Sequence, residues 1–182
     1  MMIVLESIAN VVWVAAILYV FTAEVLHVGE SWWGYINTFF FTGLIIGGII
    51  CSKQAPFIEK HMRKILMLSS AGIAVVTFCF GVNTIPLFAL ILACLSGLIE
   101  QIKGIILTIY LQKESDHDSL PKIYSAQSAL SSIVFGLASL IFGVLADVIN
   151  VQIIFALASF ILLISAWYVR VNRTNFAERY QF

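Results

Sequence analysis

Long apolar runs alternate with short polar connections along the whole chain. Each run is about 20 residues long, carries almost no charge and lacks the strict period-two alternation of a membrane barrel strand. A helix needs roughly 20 residues to cross a hydrocarbon core about 30 Å thick. The pattern therefore predicts an all-α integral membrane protein with six transmembrane helices. The predicted spans are 4–24, 32–51, 65–82, 86–111, 124–146 and 151–169.

The composition narrows the class of protein further. Of the 182 residues, 61% are hydrophobic and 11% are charged, whereas about a quarter are charged in soluble domains. Six spans leave no room for a soluble domain, so residues 1–182 are predicted to form a single membrane domain. A net charge of zero without a basic patch argues against nucleic acid as a partner. No phosphate-binding loop, metalloprotease helix motif or nucleophile elbow occurs, so we expect neither an enzyme nor a cofactor.

Lys and Arg occupy only one set of connections between the spans. The connections 25–31, 82–85 and 147–150 contain neither residue type. By the positive-inside rule, the side that carries the basic residues is cytoplasmic, so both termini are predicted to lie in the cytoplasm. The nine basic residues on that side are Lys53, Lys60, Arg63, Lys64, Lys113, Lys122, Arg170, Arg173 and Arg179.

The tenth basic residue, Lys103, lies inside the fourth span together with Glu100. Residues three apart share one face of a helix, so the two charges are neighbours. Ionisable groups at this depth are expensive and commonly mark a substrate or proton route. The alternative is an ion pair that only holds the helix in place. The remaining small or polar residues of the same face are Ser96, Gly97, Gly104 and Thr108.

The first span carries a similar polar face. If this span is one straight helix, Glu6, Asn10, Trp13 and Glu24 return to one side of it. Glu6 and Glu24 would then be solvated charges at opposite membrane interfaces. Asn10 is suited either to a hydrogen bond with a neighbouring helix or to contact with a ligand. Asn10, Trp13 and Glu24 therefore join the span-four pair as candidate substrate-binding or coupling residues.

Glu24, His27 and Glu30 have a spacing that could bring three metal-binding side chains together. An interfacial belt with Trp32 and Trp33 is the simpler interpretation of this segment. No metal site is predicted.

Small residues mark two spans as close-packing helices. Gly43 and Gly47 are four apart in the second span, and Ser128, Ser132 and Gly136 continue this spacing in the fifth. Such stripes let helix backbones approach each other where lipid provides no hydrophobic drive for association. They indicate contact either within the six-helix unit or with an outside partner. Spans three and six are more uniformly apolar and are expected to face lipid.

The chain contains a series of strings, in the order 34–48 with its following basic loop, Gly97, Leu120–Pro121, Ser125–Ala129 and Gly143 with Leu145–Asp147. In this order they resemble the C-terminal half of a major facilitator superfamily transporter, over nearly the whole chain. The last of them is similar to a string found in drug, macrolide and siderophore exporters of that superfamily. Two departures are the lack of an Asp-Arg-x-Gly-Arg pattern within 52–64 and the residues 122–124 where related exporters often have Gly-Arg-Val.

The resemblance implies an architecture and partners. In that family two six-helix halves, each made of two inverted three-helix repeats, bind substrate between them. The repeats here would be about 1–82 and 83–182. Spans one and four would line the cavity, spans two and five would contact the other half, and spans three and six would lie outside. The expected partners are lipid of a bacterial plasma membrane, a small-molecule substrate, and a second six-helix half or another copy.

The resulting hypothesis is a half-transporter for proton-coupled efflux by alternating access. Glu100 is the candidate for proton coupling or cation recognition, with Lys103 as its counter-charge. One alternative is a six-helix substrate-capture subunit of an importer. Another is a membrane scaffold or remnant that does not transport, in which the polar faces serve only packing.

Overall fold

The computed structural model describes residues 2–13, 15–114 and 119–171, without the side chains of residues 15, 16, 114 and 147. Arg173, Arg179 and the Asp147 side chain thus lie outside the described part. A short 3-10 helix, Asn10–Trp13, separates the first two α-helices. The α-helices are α1 (Met2–Ala9), α2 (Ala15–Glu24), α3 (Ser31–Lys53), α4 (Ala55–Val82), α5 (Pro86–Glu114), α6 (Leu120–Val148) and α7 (Val151–Val171).

Helices occupy all six predicted spans. Helices α3 to α7 are each long and apolar enough to cross a membrane, and α1 with α2 supplies the sixth candidate as a bent pair. These helices confirm the all-α class, and their length and apolar character support the prediction of six membrane spans.

The prediction of a straight first span is wrong. Its two parts, Met2–Trp13 and Ile17–Glu24, are bent by 42° relative to each other, directly after the 3-10 segment. Asn10, Val11 and Val12 are residues of modest helix propensity, which favours a break at this point. A 3-10 helix has about three residues per turn, so the face that contains Glu6 is not continued as far as Glu24.

Contacts between the helices place them in a definite order. Helix α3 packs along α5, α5 on α4, α4 on α7, α7 on α1 and α1 on α6, while α2 touches α3, α6 and α7. Helices α3 and α6 therefore stand at the two ends of this series. These are the two helices that carry the small-residue stripes.

Glycine permits the closest helix contact in the described part of the chain, that between α3 and α5. A Cβ atom at Gly43 would overlap the carbonyl oxygen of Cys94, and a Cβ atom at Gly97 would overlap that of Phe40. Gly47 is buried in the same contact. The small residues of span two thus pack within the chain, and the reciprocal glycine on α5 allows the two backbones to approach.

Helices α4 and α7 contribute most to the interior. In the most apolar stretch of each of these two helices, 44% of the residues are buried, against 11% in the corresponding stretch of α6. Phe21 of α2, Phe80 of α4 and Phe155 of α7 pack against one another, with ring-centroid distances of 4.9 to 5.3 Å. Spans three and six, which were predicted to face lipid, thus each bury one side within the chain, while the other side carries exposed residues such as Leu68 and Phe160.

The segment 52–64 was expected to be a loop, but most of it is helical. Helix α4 already begins at Ala55, with Pro56 in its first turn and a kink at His61. Proline is well tolerated at the start of a helix because its missing N–H is not needed there. The buried side chain of Ile58 holds this basic segment against the rest of the chain.

Candidate functional site

Lys103 is almost completely buried, with 1% of its surface exposed, and lies between two carboxylates from different helices. Its Nζ atom donates a hydrogen bond to Glu100 Oε2 at 2.9 Å and lies 3.4 Å from Glu6 Oε1. Asn10 Nδ2 donates to the other Glu100 oxygen, Oε1, at 3.3 Å. Glu6, Asn10, Glu100 and Lys103 form what we call the charged cluster.

The charged cluster joins two helices whose backbones do not pack closely. Glu6 and Asn10 come from α1 and the adjoining 3-10 segment, four residues apart, while Glu100 and Lys103 are three apart on α5. Helices α1 and α5 are not among the described pairs with extensive backbone contact. Long charged side chains therefore bridge this gap, and the bridge can rearrange without separating closely packed backbones.

The charges in the cluster do not balance. Two carboxylates and one ammonium group leave a net charge of −1 when all three are ionised. Burial of an unneutralised charge is strongly unfavourable in an apolar environment. The cluster is therefore suited to bind one further positive charge, either a proton or a cationic group.

One side of the cluster is open. The Glu100 side chain is 27% exposed. Further along α5, Thr108 is exposed, and no atom of another helix lies within 4 Å of the position that a Cβ atom would take at Gly104. Ser96 and Gly97, on the other side of Glu100 in the sequence, are buried against neighbouring helices. Access to the cluster is thus along the part of α5 that follows Glu100.

The structure brings together some of the predicted substrate or coupling residues and separates others. Asn10, Glu100 and Lys103 meet in the charged cluster. Trp13 instead packs among aromatic rings, 4.8 Å from the ring of Phe80. Glu24 is exposed at the end of α2.

Glu6 is the residue that sequence reasoning left out of the candidate site. Its interpretation as a solvated interface charge is wrong, because only 8% of the residue is exposed and it faces Lys103. The serine hydroxyl of Ser165 on α7 also lies beside its carboxylate. The spacing of Glu6 and Asn10 was a usable signal, since residues four apart share a helix face.

The polar stripe of α6 has no close neighbour at its centre within the described chain. Ser128, Ser132 and Gly136 are exposed, and no atom of another described helix lies within 4 Å of a Cβ position at Gly136. This arrangement contrasts with Gly43 and Gly47, which are covered by α5. The stripe leaves a surface on which another helix can pack closely.

The segment between α2 and α3 places its polar side chains in separate interactions. Glu30 accepts a hydrogen bond from the Tyr19 hydroxyl at 2.8 Å. In the parts of the chain that the structure describes, no three His, Cys, Asp or Glu side chains gather in a group that could hold a metal ion.

Two curated proteins of Bacillus subtilis (strain 168) are similar to the chain over most of its length. The uncharacterized MFS-type transporter YjbB is 32% identical over 155 residues, which are 85% of this chain and 38% of YjbB. The chain is related to major facilitator superfamily transporters. The uncharacterized MFS-type transporter YfmI is likewise 29% identical over 164 residues, which are 90% of this chain and 40% of YfmI. No family model matches the sequence, and no solved structure matches it.

The relationship confirms the family resemblance found in the sequence. Together with the long apolar helices, the relationship identifies the chain as an integral membrane protein. The chain spans about two fifths of the length of the two transporters.

Proposed function

We propose that the chain is one six-helix half of a transporter that exports a small molecule across a bacterial plasma membrane in exchange for protons. The observation that carries the proposal is the charged cluster, an unbalanced set of buried charges between α1 and α5. Transport would proceed by alternating access around this site. The two termini would be cytoplasmic, and residues 1–82 and 83–182 would form inverted three-helix repeats.

The geometry of the cluster suits a coupling role. Lys103 already contacts carboxylates on both sides of the gap between α1 and α5. A positive charge that binds to one carboxylate weakens its attraction for Lys103, and the ammonium group then interacts more strongly with the other. Binding would thereby change the link between α1 and α5. The partly exposed Glu100 is the group best placed to meet a substrate that enters from the open side.

A transport assay with glutamine in place of Glu100 tests the proposed function. Ethidium, a fluorescent cationic dye, serves as the probe in cells that lack their own exporters. Glu100→Gln removes the charge that pairs with Lys103, a hydrogen bond to a charged group worth about 1.5–3 kcal/mol, and we expect efflux to fall by roughly tenfold or more. Dye efflux is followed by fluorescence with and without a proton gradient.

Glu59→Gln is the matched control. Glu59 pairs with Lys113 at 3.6 Å, and both side chains are well exposed, so this change should leave efflux unaltered. Wild-type efflux that needs no proton gradient would contradict the coupling. Tight binding of a ligand without transport would favour a capture subunit instead.

The uncovered stripe of α6 supports pairing with a second six-helix half or a second copy. Gly136→Leu would add bulk to this stripe at a position where a Cβ atom meets no other helix. We expect association to weaken at least tenfold, since overpacking of a close contact costs about 1–3 kcal/mol. Light scattering in mild detergent measures the change in mass.

Val75→Phe adds bulk on the exposed side of α4 and is the control for the change on α6. It should leave the mass of the complex unchanged. A wild-type protein that is strictly monomeric and still exports the dye would disprove the pairing.

A further inference from the structure

The two carboxylates of the charged cluster are not equivalent. Both oxygens of Glu100 have a partner, since Oε2 accepts from Lys103 at 2.9 Å and Oε1 accepts from Asn10 at 3.3 Å. Among the described residues, Glu6 Oε1 has no hydrogen-bond partner, although Lys103 Nζ lies 3.4 Å away. Lys103 is therefore the closer partner of Glu100, at 2.9 Å against 3.4 Å from Glu6.

The two carboxylates also differ in burial, and this difference again disfavours the ionised form of Glu6 more than that of Glu100. The side chain of Glu6 is 11% exposed and that of Glu100 is 27% exposed. Glu6 is therefore more fully enclosed by the protein, and an ionised carboxylate is more costly where it is more enclosed by apolar surroundings. Both differences make Glu6 the carboxylate that gains more from losing its charge.

Few charged or polar groups surround the carboxylate of Glu6. The groups that act on it are Lys103 and Glu100 of α5 and the hydroxyl of Ser165 on α7. The other helices that pack on α1 are α6 and α7. Their described charged side chains, Lys122 and Arg170, are exposed near the helix ends, and their tyrosines, at positions 124 and 168, are half-buried.

We infer that Glu6, and not Glu100, binds the proton that balances the charged cluster, while Glu100 and Lys103 remain an ion pair. The proton comes from water on the open side of the cluster and forms an O–H bond with a carboxylate oxygen of Glu6. The net charge of the cluster changes from −1 to zero, and Lys103 keeps its ammonium protons. The inference rests on the proposed function only for the task that this proton has in transport.

Removal of either carboxylate cannot identify the proton-binding residue, because the two groups titrate as a unit. In Glu6→Gln the remaining Glu100 pairs with Lys103. In Glu100→Gln it is Glu6 that becomes the sole counter-charge of Lys103. Each variant therefore has a neutral cluster without a proton. Infrared spectroscopy should show one protonated carboxyl band in the wild-type chain that both glutamine variants lose.

Aspartate variants then show which residue gives rise to that band. The chain is reconstituted in lipid vesicles after every glutamate has been labelled with a heavy carbon isotope in its side-chain carboxyl group. The label shifts the band of a protonated glutamate and leaves that of an aspartate in place. We expect the isotope shift in the wild-type chain and in Glu100→Asp, and its complete loss in Glu6→Asp.

The inference is overturned if Glu100→Asp loses the isotope shift wholly or in part. It is equally overturned if the wild-type chain has no protonated carboxyl band that the glutamine variants remove. Both aspartate variants keep the charge, and circular dichroism checks that their helical content is unchanged. If Glu6→Asp does not fold, the retained shift in Glu100→Asp still excludes Glu100. Because no step needs transport, a positive result without dye efflux upholds this inference and removes the proposed function.

Discussion

Replacement of Lys103 by methionine is expected to destabilise the chain by about 3–5 kcal/mol, because removal of one partner from a buried ion pair leaves uncompensated charge. Here the change leaves both Glu6 and Glu100 without their shared ammonium group. The free energy of unfolding in mixed detergent micelles measures the loss. The deficit should become smaller as the pH falls, since protonated carboxyl groups need no counter-charge.

Two companion variants distinguish charge from packing at this position. Lys113→Met removes an exposed lysine that pairs with Glu59, and it should alter the unfolding free energy by less than about 1 kcal/mol. With every carboxyl group ionised, the double variant Lys103→Met with Glu6→Gln carries a formal charge of −1 in the cluster against −2 for Lys103→Met alone, so it should recover part of the loss. A Lys103→Met chain as stable as the wild type at neutral pH would show that the cluster is neutral without its lysine.

Alanine at Gly43 or Gly97 is expected to give the second large loss of stability. In each case the added Cβ atom overlaps a backbone carbonyl oxygen of the facing helix, which cannot move aside as a flexible side chain can. Overpacking of a well-packed contact costs about 1–3 kcal/mol. Thermal unfolding followed by tryptophan fluorescence should show a lower midpoint for both variants. Since the two positions lie in one contact, the effects need not add.

Gly136→Ala is the matched control, because no other helix of the described chain comes within 4 Å of the added Cβ atom. Alanine is the better residue inside a helix, so this variant should be more stable than the wild type by about 0.5–1 kcal/mol. Equal behaviour of all three alanine variants would mean that α3 and α5 do not meet at their glycines.

The positions of the helices could be predicted from hydropathy because each span must satisfy its backbone hydrogen bonds internally. For example, the prediction 151–169 corresponds to the helix Val151–Val171. The kinked start of α4 was missed because its basic residues lower the hydropathy on which the prediction relied. The break of the first span was missed because helical periodicity assumes a constant rotation per residue.

Part of the candidate site could also be predicted from the sequence. Glu100 and Lys103 are three residues apart in an apolar helix, so their pairing follows from local geometry alone. The involvement of Glu6 depends on a contact between residues that are far apart in the chain. The spacing of Glu6 and Asn10 places them on one helix face, but it does not show that this face meets Lys103. The same applies to the two small-residue stripes, since only the packing of the helices shows that Gly43 is covered while Gly136 is not.

The sequence by itself determined that this protein is a helical membrane protein, approximately where its spans lie, and that a charge pair is buried in one of them. Hydropathy and local spacing suffice for these conclusions because they concern residues close together in the chain. Only the tertiary structure decided that Lys103 is shared between α1 and α5. The resulting surplus of one negative charge exists only once the two helices are neighbours, and it is the property on which the proposed coupling depends.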